Sequence, residues 1–129
     1  MDTVKIQGSE RTPEVDFDFG SNVFVLSGES YPEDVTAFFG PIIEKLEAHL
    51  EAQSGAEIRF DFELVYFNSS TAKVLMGLFD TLDAAAESGN DVTVTWIYAS
   101  DDDNIQELGE EFAEDLEHAR FVLKEVDPD

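Results

Sequence analysis

A chain of 129 residues, 43% hydrophobic with eleven Phe and no Cys, has the size and composition of one folded α/β unit spanning 1–129; the missing Cys excludes disulfides, thiolate nucleophiles and thiolate-held metals. Its formal net charge of −23, with seven Lys and Arg in all, excludes nucleic acid and anionic membrane as natural partners, because both are polyanions. The acids are spread over every segment, so two explanations stand: a high-salt setting that screens a carboxylate-dense surface, or a basic partner drawn in by long-range attraction.

In chain order, Val4 and Ile6 mark a short first strand. Val15, Phe17 and Phe19 alternate with Asp16 and Asp18, which predicts a strand with one apolar and one acidic face. Gly20-Ser21-Asn22 is a turn, and Val23 to Leu26 completes a hairpin. Val35, Phe38, Phe39, Ile42, Ile43, Leu46 and Leu50 then follow at spacings of three and four, the stripe of an amphipathic helix. Ser30 with Glu33 has the pattern of a capping box at its start. Gly40-Pro41 inside the stripe predicts a kink near residue 40 or a restarted helix.

Ile58, Phe60, Phe62, Leu64 and Tyr66 alternate with Arg59, Asp61 and Glu63, a strand with one apolar face. Val65 and Phe67 break its polar side, and the alternation points both toward the uncovered face. There they either extend the core locally or form an apolar contact surface. A second helix carries Val74, Leu75, Leu78, Phe79, Leu82 and Ala85 and ends at Gly89 in a C′ position. Val92, Val94, Trp96 and Tyr98 make the next strand. Ile105, Leu108, Phe112 and Leu116 mark a third helix with Asp101, Asp102 and Asp103 in its first turn, where the dipole favours acids. Phe121 to Val126 is the last strand. The order β-β-β-α-β-α-β-α-β predicts a mixed sheet of about six strands, with parallel crossovers after an antiparallel start and helices mainly on one face.

Few constellations carry chemistry. His49 and His118 lack zinc spacing and read as exposed surface residues. Asp101 to Asn104 fails the calcium-loop pattern, since Ile105 and Gln106 fall where a ligand and the turn Gly belong. Gly28-Glu29-Ser30-Tyr31-Pro32 has Pro where a nucleophile elbow needs Gly. No catalytic residue, metal or cofactor is expected. What remains is Asn68-Ser69-Ser70-Thr71-Ala72-Lys73, three hydroxyls and an amide at the start of the second helix. Capping needs one of them; free N–H groups and the positive end of the dipole suit a phosphate as well.

Two segments add a resemblance. Gly28-Glu29-Ser30-Tyr31-Pro32-Glu33-Asp34 and Tyr66-Phe67-Asn68-Ser69-Ser70-Thr71-Ala72-Lys73 resemble the paired motifs of the SiaC family of bacterial regulatory phosphoproteins, in the same order and separation. Thr12-Pro13 and the run Gly109 to Asp115 agree with it. The resemblance implies a STAS-like (anti-anti-sigma-like) fold and a non-enzymatic, cytoplasmic adaptor. Its partners would be a Ser/Thr kinase, a PP2C-type phosphatase and a diguanylate cyclase activated by the unmodified form. Aligned on Asn68 and Lys73, the phosphorylated position falls on Ser69, with Ser70 and Thr71 as rivals. Tyr31, Pro32, Asp34, Val65, Phe67, Asn68, Ser70 and Lys73 are the expected partner-binding residues. Asp34, where the family has Asn, Ser69, where it has Thr, and Pro41 are departures. The alternatives are an anti-sigma factor antagonist bound to a kinase-type anti-sigma protein, and a small carboxylate-dependent hydrolase.

Overall fold

The computed structural model describes residues 3–127. The strands are β1 (Thr3–Ile6), β2 (Glu14–Asp18), β3 (Val23–Ser30), β4 (Glu57–Phe67), β5 (Asp91–Ala99) and β6 (Arg120–Val126); the helices are α1 (Val35–Glu51), α2 (Ser69–Glu87) and α3 (Asp103–Ala113). The six strands lie in one sheet in sequence order, antiparallel from β1 to β3 and parallel from β3 to β6. Three successive right-handed crossovers that step in one direction place all three helices on one face. The expected element order and one-sided architecture are therefore present.

The core follows from the alternation. Val15, Phe17, Phe24, Leu26, Ile58, Phe60, Phe62, Val92, Val94 and Trp96 project from the strands and are buried under Phe39, Leu46, Leu75, Phe79 and Leu82 of α1 and α2. Aromatic rings run through it in edge-to-face and stacked contacts, as Phe17–Phe60 at 5.5 Å and Phe60–Phe62 at 4.4 Å between centroids. Such pairs add to the stabilisation that burial alone gives. On the other face, Val25, Asp61, Thr95 and Val122 form a cross-strand row. Asp61 is buried there and is held by Arg59, whose Nε and Nη2 donate at 3.1 and 2.9 Å.

The structure changes several local expectations. α1 is capped by Asp34, whose Oδ1 accepts the Ala37 N–H at 3.0 Å, and not by Ser30 with Glu33. Ser30 is the last residue of β3 and is fully buried. α1 also runs unbroken through Pro41, which lies on its exposed side, so no restart occurs. α3 ends at Ala113, leaving Leu116 in the following turn; Asp102 is its cap, Asp103 its first-turn acid, and Asp101 lies outside it. His118 lies beyond α3, and His49 is not a plain surface residue. Its Nε2 is 2.6 Å from Asn22 Oδ1 and its ring meets Phe19 edge-on, and burial pushes its pKa below the ordinary imidazole value.

The largest correction concerns β4. Leu64 pairs with Gly28 and Tyr66 with Glu29, so Val65 is an extra residue in a β-bulge. Gly28 supplies the bend on the partner strand with φ of +99°, a left-handed conformation that suits glycine. The bulge reverses the alternation beyond it. Val65 and Tyr66 both stand exposed, at 58% and 51%, while Phe67 turns under the helices onto Trp96 and Phe112, with centroids 6.2 and 6.1 Å away. Phe67 thus extends the core, and Tyr66, expected inside, faces out.

Candidate functional site

The two motif segments meet at the C-terminal ends of β3 and β4, neighbouring parallel strands. β4 leads directly into α2. Asn68 is the N-cap, in extended backbone, and its Oδ1 accepts the Thr71 N–H at 2.9 Å. One amide thus does the capping, which leaves the three hydroxyls of Ser69, Ser70 and Thr71 for other uses.

They divide sharply. Thr71 is fully buried; its hydroxyl donates to the Ser30 carbonyl at 3.1 Å and lies 2.9 Å from the Ser30 hydroxyl. The Ser30 carbonyl also accepts the Asn68 N–H at 3.2 Å. Ser30 and Thr71 together bolt the end of β3 to the first turn of α2, and a hydroxyl so enclosed cannot meet a modifying enzyme without local opening. Ser69 and Ser70 are exposed. Lys73, one turn on from Ser69, shares its side of the helix and is exposed as well.

Around this start lie the other segment and the bulge. The Tyr31 N–H donates to the Arg11 carbonyl at 2.7 Å, and Arg11 also pairs with Glu33. The Tyr31 ring packs edge-on against Tyr66 at 5.7 Å. Pro32 is half-buried beside them, and Asp34 is committed to capping α1. Of the residues singled out from the sequence, Tyr31, Pro32, Val65, Asn68, Ser69, Ser70 and Lys73 are brought together near this junction. Thr71 and Phe67 face inward. Tyr66 was missed because strict alternation puts it in the core.

The charge pattern of the junction is unusual for this chain. No Asp or Glu occurs between Glu63 and Asp80, although the chain holds thirty of them. α1 and α3 are capped by Asp34 and Asp102, and α3 has Asp103 in its first turn. α2 has an uncharged cap and no acid in its first turn. Among the three described helices, its start is thus the one left without a carboxylate. Among the described residues no group of three or more His, Cys, Asp and Glu side chains is placed to hold a metal. No described helix is long and apolar enough to cross a membrane.

The fold and the junction define a class: a one-sided mixed α/β protein that presents free hydroxyls at an uncharged helix N-terminus. The chain belongs to the SiaC family of regulatory phosphoproteins, whose model matches residues 6–126. It is 33% identical over 115 residues to an uncharacterized protein of Pseudomonas aeruginosa (strain UCBPP-PA14), covering 89% of this chain and 90% of that one. Among solved structures it is similar to SiaC of Pseudomonas aeruginosa, with a TM-score of 0.87 at 31% identity over 98% of this chain and 100% of that one. It is also similar to a chain in the crystal structure of the diguanylate cyclase SiaD in complex with its activator SiaC from the same organism. There the TM-score is 0.89 at 31% identity, covering 95% of this chain and 99% of that one.

Proposed function

We propose that this protein is a phosphorylation-switched adaptor that binds and activates a diguanylate cyclase, with Ser69 as the modified residue. A Ser/Thr kinase adds the phosphate and a PP2C-type phosphatase removes it, in the cytoplasm; the protein itself carries out no chemistry. The relation to SiaC, named as the activator of SiaD, supports the output. The observation that carries the site is the carboxylate-free start of α2, where an exposed hydroxyl stands beside unfilled N–H groups in a chain crowded with acids.

A phosphate on Ser69 adds roughly −1.5 to −2 charges and three acceptor oxygens. The α2 dipole favours it by about 0.3–1 kcal/mol, so the fold survives modification. A partner seated over Tyr31, Val65, Tyr66 and Lys73 meets a solvated dianion instead of a hydroxyl. Burying that charge without a cationic mate is prohibitive, and Lys73 is the nearest cation in sequence. Phosphorylation therefore releases the partner while the adaptor stays folded.

The test pairs the protein with its cognate Ser/Thr kinase and a diguanylate cyclase. Wild type and Ser69→Ala raise cyclic dinucleotide formation alike, while Ser69→Asp and the phosphorylated protein bind the cyclase about tenfold more weakly or worse. The kinase labels wild type and Ser70→Ala but not Ser69→Ala. Full labelling of Ser69→Ala, or full activation by the phosphorylated protein, would end the assignment.

A further inference from the structure

Met76 stands on α2 outside the core stripe, 53% exposed. The spacing 69, 73, 76, 80 aligns Ser69, Lys73, Met76 and Asp80 along one exposed side of the helix, over about 16 Å. Beside that line α2 and α3 leave a groove of about 270 Å³. Its apolar walls are Met76, Phe79, Phe112 and Leu116, and Asp80, Glu111 and Asp115 stand around them. Those three carboxylates are exposed, and none enters an ion pair among the described residues. An apolar floor between two helices, ringed by carboxylates alone, is complementary to an amphipathic helix with Lys or Arg flanking its apolar face. A second copy of this chain is a poor fit, because it would bring its own acids onto this rim.

We propose that the α2–α3 groove receives a basic amphipathic helix of the protein that the adaptor regulates. Its apolar side chains seat against Met76, Phe112 and Leu116, and its cations meet Asp80, Glu111 and Asp115. The inference rests on the adaptor reading for the owner of that helix. It also gives the dispersed acidity one local use, and it lays the docked helix along the same side of α2 that begins at Ser69. Met is suited to such a surface, since its flexible thioether adapts to the side chains it meets.

The probe is a synthetic peptide of about 18 residues, long enough to hold a helix, with Leu on one face and Lys on the other. Its controls are a peptide with Glu in place of Lys and a leucine-free peptide of equal positive charge. Titration into isotope-labelled protein should saturate, with shifts centred on Met76, Phe112 and Leu116. Met76→Ser should weaken binding about tenfold or more with an unchanged melting temperature, and Met76→Leu should restore it. Four results would each overturn the groove: shifts scattered over the acidic surface, equal binding of the leucine-free peptide, undiminished binding by Met76→Ser, or a dimer formed through this face in sedimentation. The titration uses unmodified protein and no cyclase. Its failure therefore leaves the Ser69 switch standing, and failure of the Ser69 labelling test leaves the groove standing.

Discussion

The starts of α2 and α3 solve one problem in two ways. Each must satisfy N–H groups that have no partner within the helix. At α3, Asp102 caps through its carboxylate, accepting the Ile105 N–H at 3.0 Å, and Asp103 adds a second charge to the dipole. At α2, Asn68 makes the same bond at 2.9 Å to Thr71 without charge, and two exposed hydroxyls follow. Asn and Asp cap about equally well, so stability does not dictate the choice. A start already filled with carboxylate has little use for phosphate, whereas an uncharged one keeps its electrostatic attraction for an anion that arrives later.

Packing beneath the helices uses two devices, ring against ring and backbone against ring, and these give the largest testable contrast. The bulge at Val65 sends Phe67 inward against Trp96 of β5 and Phe112 of α3. Phe67→Ser should cost about 2–4 kcal/mol, because a ring is removed from a packed cluster and a hydroxyl is left in its place. Urea unfolding measures it. A loss below about 0.5 kcal/mol would mean that Phe67 is a surface residue after all. The comparison substitution Val65→Ser, on the exposed side of the same bulge, should be close to neutral for stability.

One turn earlier in α3, close approach of backbone to ring is added to this ring packing. Gly109 lies on the Trp96 ring, where an added Cβ would collide with ring atoms, and the Trp96 indole N–H donates to the Ile105 carbonyl at 2.8 Å. In an open helix position Gly→Ala stabilises by roughly 1 kcal/mol. Here the sign should reverse, with Gly109→Ala costing about 1–3 kcal/mol and perturbing Trp96 fluorescence. Gly77 of α2 has no neighbour within 4 Å of such a Cβ, so Gly77→Ala should show the ordinary gain. Equal signs for the two would remove the close-approach account.

The smallest effect bears most directly on function. Asn68→Ala should cost about 1 kcal/mol, and Asn68→Asp should stay within about 0.5 kcal/mol of wild type in the unmodified protein. Phosphate on Ser69 should then stabilise wild type by about 0.3–1 kcal/mol and Asn68→Asp by less, because two anions compete for one helix start. Paired urea titrations of modified and unmodified proteins read the difference. An equal gain in both proteins would show that the missing carboxylate at α2 has no bearing on the phosphate.

The sequence by itself determined the element order, the single covered face and the hydroxyl run at the start of α2. These depend on periodicity and on cap chemistry, which neighbouring residues express among themselves. The carboxylate-free interval from Glu63 to Asp80 was equally open to reading, as was the exposed Met76 once the core stripe of α2 is drawn. The inward turn of Phe67 was decided only in the tertiary structure, because a bulge is a property of two strands in register. Alternation within β4 carries no sign of where β3 bends at Gly28. The same holds for Ser30, whose spacing to Glu33 imitates a capping box. Its bonds go instead to Thr71, 41 residues away, and only a folded sheet brings that partner within reach. That contact encloses Thr71 and leaves Ser69 and Ser70 exposed: a hydroxyl's availability depends on what lies against it, and local sequence does not record distant neighbours.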